Sequence, residues 1–550
     1  MKKLEEEKTM KKIGRSILVL ILILAMSFGA AGCGGGEETG GVSSLTIGSA
    51  TGIDTLNPLS SYKLVTFELF LLMYDPLVRY ADDYSAKPCL ATEWTVSEDD
   101  LTWTFKLQEG VSWHDGEPFT SADVKYTYEL MMNSGLGYMY SAYLTGITDI
   151  ECPDDNTVVI TTDAPKANML MNTTPIIPEH IWSGVAEEEL ESYANDQPVG
   201  TGPYKFDSTG EGFVKLIRNG DYFAAVPAVE EYIFVEYANT DALAQALMLG
   251  EIDAATNLNA SQLSQLRDDG NVSVIAGEMP GFVQIGINVW EDPASKGDPI
   301  LRDRNVRHAI ELAVDKIKII DMCYGGLGAE GTTLINSGDA FHYEPTAEEI
   351  RNFDPEKAKS VLEQAGYKDT DGDGIREDAN GSKLEFELAT LSDNVEELKA
   401  GQLITANCMD IGISLINTVI DDGALMDKIY AADYDLFIWG WGADIDPTTI
   451  LEVLTTDQIG GNNEPYFSNA RYDELFLEQQ NEMDIEKRKA LVAEMQGIVY
   501  EEAPYIILLY DNNLQAIRQD RWEGFKQIPE AGTYFFNLTD YNYMNIKPVE

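Results

Sequence analysis

Hydrophobic and polar positions change period several times along this chain. Residues 101–107 (Leu-Thr-Trp-Thr-Phe-Lys-Leu) alternate one by one, the pattern of a half-buried strand. Residues 45–50 alternate in the same way, and 282–288 and 433–441 also read as strands. Over residues 305–316 the period lengthens: Val306, Ala309, Ile310, Ala313 and Val314 share one face of a predicted amphipathic helix. The apolar stretch 67–74 is closed by Asp75-Pro76, because the residue before a proline is pushed out of helix. Local signals bound the other helices. Thr120 with Asp123 forms a capping box that opens a helix through Met132. Thr240 is the expected N-cap of a helix over 241–249, with Gly250 ending it. Asp354 caps 355–365, with Pro355 in the first position and Gly366 after the end. A further helix covers 486–500. Strands and helices mix without an internal repeat, which predicts an α/β protein of several lobes.

The N-terminus follows neither period. Lys8, Lys11, Lys12 and Arg15 precede an apolar run at 17–25, then Gly29-Ala30-Ala31-Gly32 and Cys33. This is the layout of an export signal. The run is shorter than the roughly 20 apolar residues of a membrane-spanning helix. The cysteine at the cut makes it resemble a bacterial lipoprotein signal, in which the thiol takes the lipid. It departs from that pattern at Ala30, where leucine is commoner. Plain secretion and an uncleaved anchor are the alternatives. The expectation is a signal peptide at 1–32, a lipid on Cys33, and a Gly-rich tether at 33–44. The remainder would then be exported and anchored to the outer face of the cell membrane.

Acidic residues outnumber basic ones 93 to 38, for a formal charge of -55. Such a surface repels phosphates and anionic lipid headgroups, which argues against nucleic acid as a partner. Apart from Cys33 the cysteines are Cys89, Cys152, Cys323 and Cys408; an even number in an exported protein permits two disulfides, and buried free thiols are the other reading. The four histidines (His114, His180, His308, His342) are far apart in sequence, so no multi-histidine metal site is expected, and no cofactor. There is no G-x-S-x-G, H-E-x-x-H or Gly-rich phosphate loop, and an enzyme is not expected. One metal-like pattern stands out. Asp369, Asp371, Asp373 and Glu377 place oxygens around Gly374, the sixth position of a calcium-type loop. The twelfth position is Asn380 instead of glutamate, and Ile375 comes a place early. A solvated acidic turn and a structural calcium site are the two readings.

Several segments, in order, carry a family resemblance: Leu90-Ala91-Thr92-Glu93-Trp94, Gly110-Val111 with His114-Asp115-Gly116, Pro198-Val199-Gly200-Thr201-Gly202-Pro203-Tyr204, Arg218-Asn219-Gly220-Asp221-Tyr222, Gly250-Glu251-Ile252-Asp253, Asn305-Val306-Arg307-His308-Ala309, Asp354-Pro355-Glu356-Lys357-Ala358, Tyr466-Phe467-Ser468-Asn469 and Ala503-Pro504-Tyr505. Together they resemble the family 5 extracellular solute-binding proteins of peptide and nickel ABC importers. Most of these residues read as scaffold. Gly200, Gly202 and Pro203 would fix a turn, and His114 is structural sooner than chemical.

The resemblance implies a type II periplasmic-binding-protein-like α/β fold: two lobes joined by a hinge, plus an extra small domain. Lobe I would be discontinuous, from 45–75, 199–290 and 512–550; the extra domain would be 76–198 and lobe II 291–511. It also implies a monomer that binds short peptides between the lobes and delivers them to an ABC permease. A peptide-sensing surface lipoprotein, or the same fold carrying a metal chelate, opine or sugar, are the alternatives. The segment Trp439-Gly440-Trp441-Gly442-Ala443-Asp444-Ile445-Asp446-Pro447 resembles the family segment whose aspartate pairs with the peptide amino terminus. That carries Asp444 onto the role, with Asp446 close enough to take it instead. Trp439 and Trp441 share a strand face and either wall the cleft or pack in the core. The cation for a peptide carboxylate cannot be placed.

Overall fold

Two large sheets organise the chain. The first has seven strands, in the order Val272–Glu278, Asn512–Arg518, Ala254–Leu258, Ser44–Ser49, Glu231–Glu236, Phe213–Arg218 and Tyr204–Gly210. The second has six: Ala329–Glu330, Tyr505–Tyr510, Gly281–Ile287, Leu436–Gly442, Glu385–Leu391 and Ser414–Ile420. A four-stranded antiparallel sheet is built from Ala91–Val96, Thr102–Leu107, Thr157–Thr162 and Ile147–Asp154. These elements come from a computed structural model that describes residues 43–137, 140–392, 394–442, 445–528, 535–536 and 539–550. Cys33 and the signal-like segment lie outside the described residues. Among the described residues, no helix is long and apolar enough to cross a membrane.

The hydrophobic patterns account for where the strands sit. Trp103, Phe105 and Leu107 point inward from Thr102–Leu107, as the alternation requires. All seven residues of Gly281–Ile287 are buried, the mark of a central strand covered on both faces. The seven- and four-stranded sheets share one core, with Leu45, Phe105, Trp113 and Tyr232 among its members. The six-stranded sheet has its own, where Ile285, Leu388, Ile438 and Leu508 meet Val306 and Ile310.

Among the described residues the chain passes between the two large sheets twice, at residues 279–280 and at Asp511. The crossings lie side by side: the Met279 N–H donates to the Asp511 carbonyl at 2.8 Å. Pro280 has no N–H to continue a ladder, so the first sheet stops there. Residues 281–287, grouped with lobe I in the reading that carried it to 290, pair in the second sheet.

Side-chain caps open most of the longer helices. Thr120 and Asp123 form the expected capping box of Ser121–Ser134. Asp354 accepts the Lys357 N–H at 2.9 Å at the start of Pro355–Ala365, and Gly366 ends that helix in the left-handed region. Two expectations change. Asn239 caps Thr240–Leu249, accepting from the Ala242 N–H at 2.9 Å, and Thr240 is already helical. The single helix expected over 305–316 is two, Arg304–Ala313 and Lys316–Cys323. Asp315 breaks it, because its carboxylate caps the second helix through the Lys318 N–H at 3.0 Å.

The Pro198-to-Tyr204 motif works by close approach as well as by turning. A Cβ on Gly200 would lie 1.8 Å from the Met73 carbonyl oxygen, and one on Gly202 would lie 2.3 Å from that of Leu72. His114 holds this segment, accepting from the Gly200 N–H at 3.2 Å and facing the Gly202 carbonyl at 3.0 Å. Burial lowers its pKa to about 4, which keeps it neutral. Cys89, Cys152, Cys323 and Cys408 are all free thiols, so the reading with two disulfides fails. Cys89 is held by the Arg79 guanidinium at 3.2 Å instead.

Candidate functional site

The strand Leu436–Gly442 changes character along its length. Leu436, Phe437 and Ile438 are buried, Trp439 and Trp441 are half-buried, and Gly440 and Gly442 are exposed. The strand thus runs out of the core into the open at its C-terminal end. It pairs antiparallel with Gly281–Ile287, placing Gln284 opposite Trp439, Phe282 opposite Trp441 and Gly281 opposite Gly442. Gly281 has φ 150, and a Cβ there would meet the Trp441 carbonyl oxygen at 2.3 Å. Its neighbour is Pro280, so the tryptophan end of the strand lies beside one crossing between the sheets.

The other edge of this strand is only partly used. Glu385–Leu391 pairs with it at Leu436 and Phe437 and no further. From Ile438 to Gly442 no second strand among the described residues takes up that edge. Two exposed glycines on such an edge leave space for another backbone to come close.

The two tryptophans divide between neighbouring cores. Trp439 packs against the cluster holding Tyr434, Phe437 and Tyr466. Trp441 packs against the one holding Phe282, Phe467 and Tyr505. The Trp441 indole N–H donates to Glu464 Oε2 at 3.2 Å, and the Tyr505 hydroxyl donates to the same oxygen at 2.8 Å. Glu464 is buried, no cation among the described residues meets its carboxylate, and burial pushes its pKa up to about 7 against the pull of the two donors. Sequence reasoning passed over Glu464. The only signal was its place just before the Tyr466-to-Asn469 motif.

Asp444 and Ala443 lie outside the described residues. Asp446 is buried, and both its oxygens are engaged. Arg488 grips them in two bonds, Nη1 to Oδ2 at 2.7 Å and Nη2 to Oδ1 at 2.8 Å, and the Thr448 N–H adds a third at 2.9 Å. Its charge is therefore spent inside the fold. Arg488 was not singled out in the sequence, because nothing local ties it to a residue more than forty positions earlier.

The histidines are not brought together. His180 pairs with Asp115 at 2.8 Å, His308 meets the Glu501 carbonyl, and His342 lies between the Ile335 carbonyl and Glu344. The acidic loop does converge: one ligand oxygen from each of Asp369, Asp371, Asp373 and Glu377 lies within 4.8 Å of all the others. A cavity of about 320 Å³ lies on the seven-stranded sheet, with Ser49, Asp54, Phe213 and Glu236 in its wall. None of the tryptophan-strand residues lines it.

The sequence profile of bacterial extracellular solute-binding proteins, family 5 Middle, matches residues 85–462, well over half of the chain. A Brucella ovis chain, provisionally named an ABC transporter peptide-binding protein, is 31% identical over 418 residues, covering 73% of this chain and 74% of its own. The oligopeptide-binding protein AppA of Bacillus subtilis is 24% identical over 547 residues, 96% of this chain and 98% of its own. AppA's solved structure, in complex with a nonapeptide, superposes with a TM-score of 0.76 at 23% identity over 92% of this chain and 99% of that one. NikZ of Campylobacter jejuni, solved with Ni(L-His), gives a TM-score of 0.77 at 23% identity over the same shares.

Proposed function

The chain belongs to the bacterial extracellular solute-binding proteins of family 5, and from that premise we propose that it captures short peptides outside the cell membrane and hands them to an ABC permease. It is the substrate-binding component of an ABC importer, a transport component and not an enzyme. Its two-lobed fold is of the type II periplasmic binding class.

One observation supports the peptide reading above the rest: the strand edge from Ile438 to Gly442, open and glycine-bearing beside the crossing between the sheets. A peptide brings a ladder of N–H and C=O groups, and an open strand edge is the partner such a ladder needs. Flat aromatic faces at Trp439 and Trp441 accept varied side chains without selecting one. The ammonium of a buried peptide also needs a carboxylate, since an unpaired buried charge is costly. Asp446 is held by Arg488, which supports Asp444 in that role. Closure of the lobes about residues 279–280 and 511 would sequester the ligand. Cys33 would carry the lipid that holds the protein at the membrane, and an intact N-terminus on the membrane form would remove that assignment.

A non-peptide solute is the second reading, because the fold is equally like that of a nickel–histidine binder. Dispersed, internally bonded histidines disfavour direct metal ligation and leave a chelate as that reading's form. Native mass spectrometry of freshly purified protein, followed by denaturation, separates the two. A ladder of released peptides supports the first reading; a single non-peptide mass replaces it.

A further inference from the structure

The acidic segment between the helix Pro355–Ala365 and the strand Glu385–Leu391 forms a closed loop. Lys368 and Glu377 exchange both backbone hydrogen bonds, at 3.1 and 2.9 Å, and pinch off the residues between them. Inside, the carboxylates shape the backbone. Asp369 accepts from the Gly372 and Gly374 N–H groups at 2.6 and 3.0 Å, Asp371 from Asp373 at 3.1 Å, and Asp373 from Ile375 at 2.9 Å. Gly372 and Gly374 take left-handed φ values of 82 and 94. The outcome is four carboxylates within 4.8 Å of one another.

Acidic clusters on surfaces are common, and this one would carry little weight without Glu377. Glu377 is only 4% exposed. Its Oε2 accepts from the Thr370 N–H at 2.8 Å and the Thr370 hydroxyl at 2.9 Å. Its Oε1 is buried and has no hydrogen-bond donor. A buried carboxylate oxygen without a donor is strongly disfavoured unless a cation meets it. Lys383 bonds to Asp373 and lies 3.0 Å from Asp371, so its ammonium offsets one of the four charges, and it makes no bond to Glu377.

The geometry points to a calcium ion held in this loop by Asp369, Asp371, Asp373 and Oε1 of Glu377. The donor set is all oxygen, on a partly exposed loop. Calcium accepts six to eight such ligands in loose geometry, whereas magnesium demands a tight octahedron and keeps its waters. The loop lacks a glutamate at its twelfth position. Glu377, at the ninth, supplies the closing carboxylate, and the strand-like bonds to Lys368 hold it in place. The ion would be structural, tying the end of the helix Pro355–Ala365 to the start of the strand Glu385–Leu391. Its affinity belongs in the range of extracellular modules, about 0.1–1 mM.

The test is calorimetric titration of CaCl₂ into the purified full-length protein after EDTA treatment, with melting curves in parallel. One site with a dissociation constant of about 1 mM or tighter is expected, and 10 mM CaCl₂ should raise Tm by several degrees where 10 mM MgCl₂ does not. Asp371→Asn keeps the oxygen that accepts the Asp373 N–H and should weaken binding about tenfold or more. Lys383→Met removes the competing ammonium and should tighten it. The absence of a binding isotherm, an equal response to magnesium, or an undiminished calcium shift in Asp371→Asn would overturn the assignment.

Discussion

Asp444 and Asp446 sit two residues apart and should respond to the same substitution in opposite ways. Asp446 is closed in by the Arg488 guanidinium, and removing one partner of a buried pair leaves the other charge stranded. Asp446→Asn should therefore lower stability by about 3 kcal/mol or more, read as a fall in Tm. Asp444→Asn should leave Tm in place and weaken peptide binding about tenfold or more, the worth of a charged hydrogen bond. Unchanged affinity in that variant would take Asp444 out of the site. Glu464 makes a prediction in pH. Its carboxyl is held near 7 in the folded protein, above the ordinary carboxylate value, so the folded state keeps a proton that the unfolded chain releases. Stability falls as pH rises from about 4.5 to about 7 and levels off above. Glu464→Gln should flatten this slope by about 3 kcal/mol at most across that window. Glu68 and Asp511 are also raised by burial, to about 7 and about 6, so the difference between wild type and variant is the quantity to plot. None of these pairings was legible in the sequence. The two aspartates look alike there, and the arginine that engages Asp446 is brought close only by folding.

At the scale of elements, sequence was a better guide, because caps and periods are local. The Thr120–Asp123 capping box, the Asp354–Pro355 start with its Gly366 stop, and the alternation through Trp103 and Phe105 could each be read within a few residues. The errors share a cause: competition between neighbouring caps. Asn239 and Thr240 both offer an oxygen to the same helix start, and the amide of Asn239 reaches the third residue along. Asp315 fits the polar side of the expected helix equally well, and only its bond to Lys318 shows that it begins a new one. The Pro198-to-Tyr204 motif gives this scale its own test. A turn glycine would tolerate alanine at modest cost. Gly200 would not, because its Cβ would enter the Met73 carbonyl, which is backbone and cannot swing aside. Gly200→Ala should cost about 3 kcal/mol or more, at the upper end of overpacking, and a melting curve within a degree of wild type would show that the helix Leu64–Met73 can retreat.

For the whole molecule, periodicity alone predicted several lobes and nothing about how they interleave. The seven-stranded sheet takes strands from residue 44 to residue 518, and such pairings leave no local trace; the discontinuous lobe came from resemblance. The strand at residues 281–287, which pairs in the six-stranded sheet, leaves as little trace of its partners. A strand buried on both faces looks the same in sequence whichever sheet it enters. Free thiols at all four described cysteines carry a simple consequence: a reducing agent should leave the melting temperature unchanged.

The paired crossings at Met279 and Asp511 bear on how such a molecule signals. Each is only a residue or two long, and one hydrogen bond laces them together. Sliding one sheet past the other would tear that lacing, whereas swinging about it disturbs only a few dihedrals. Motion of this kind has one coordinate, like a book on its spine. If the lobes close about this spine, occupancy would reach a membrane partner as a single angle, and cargoes of different shape would be equivalent whenever they let the covers meet at the same one.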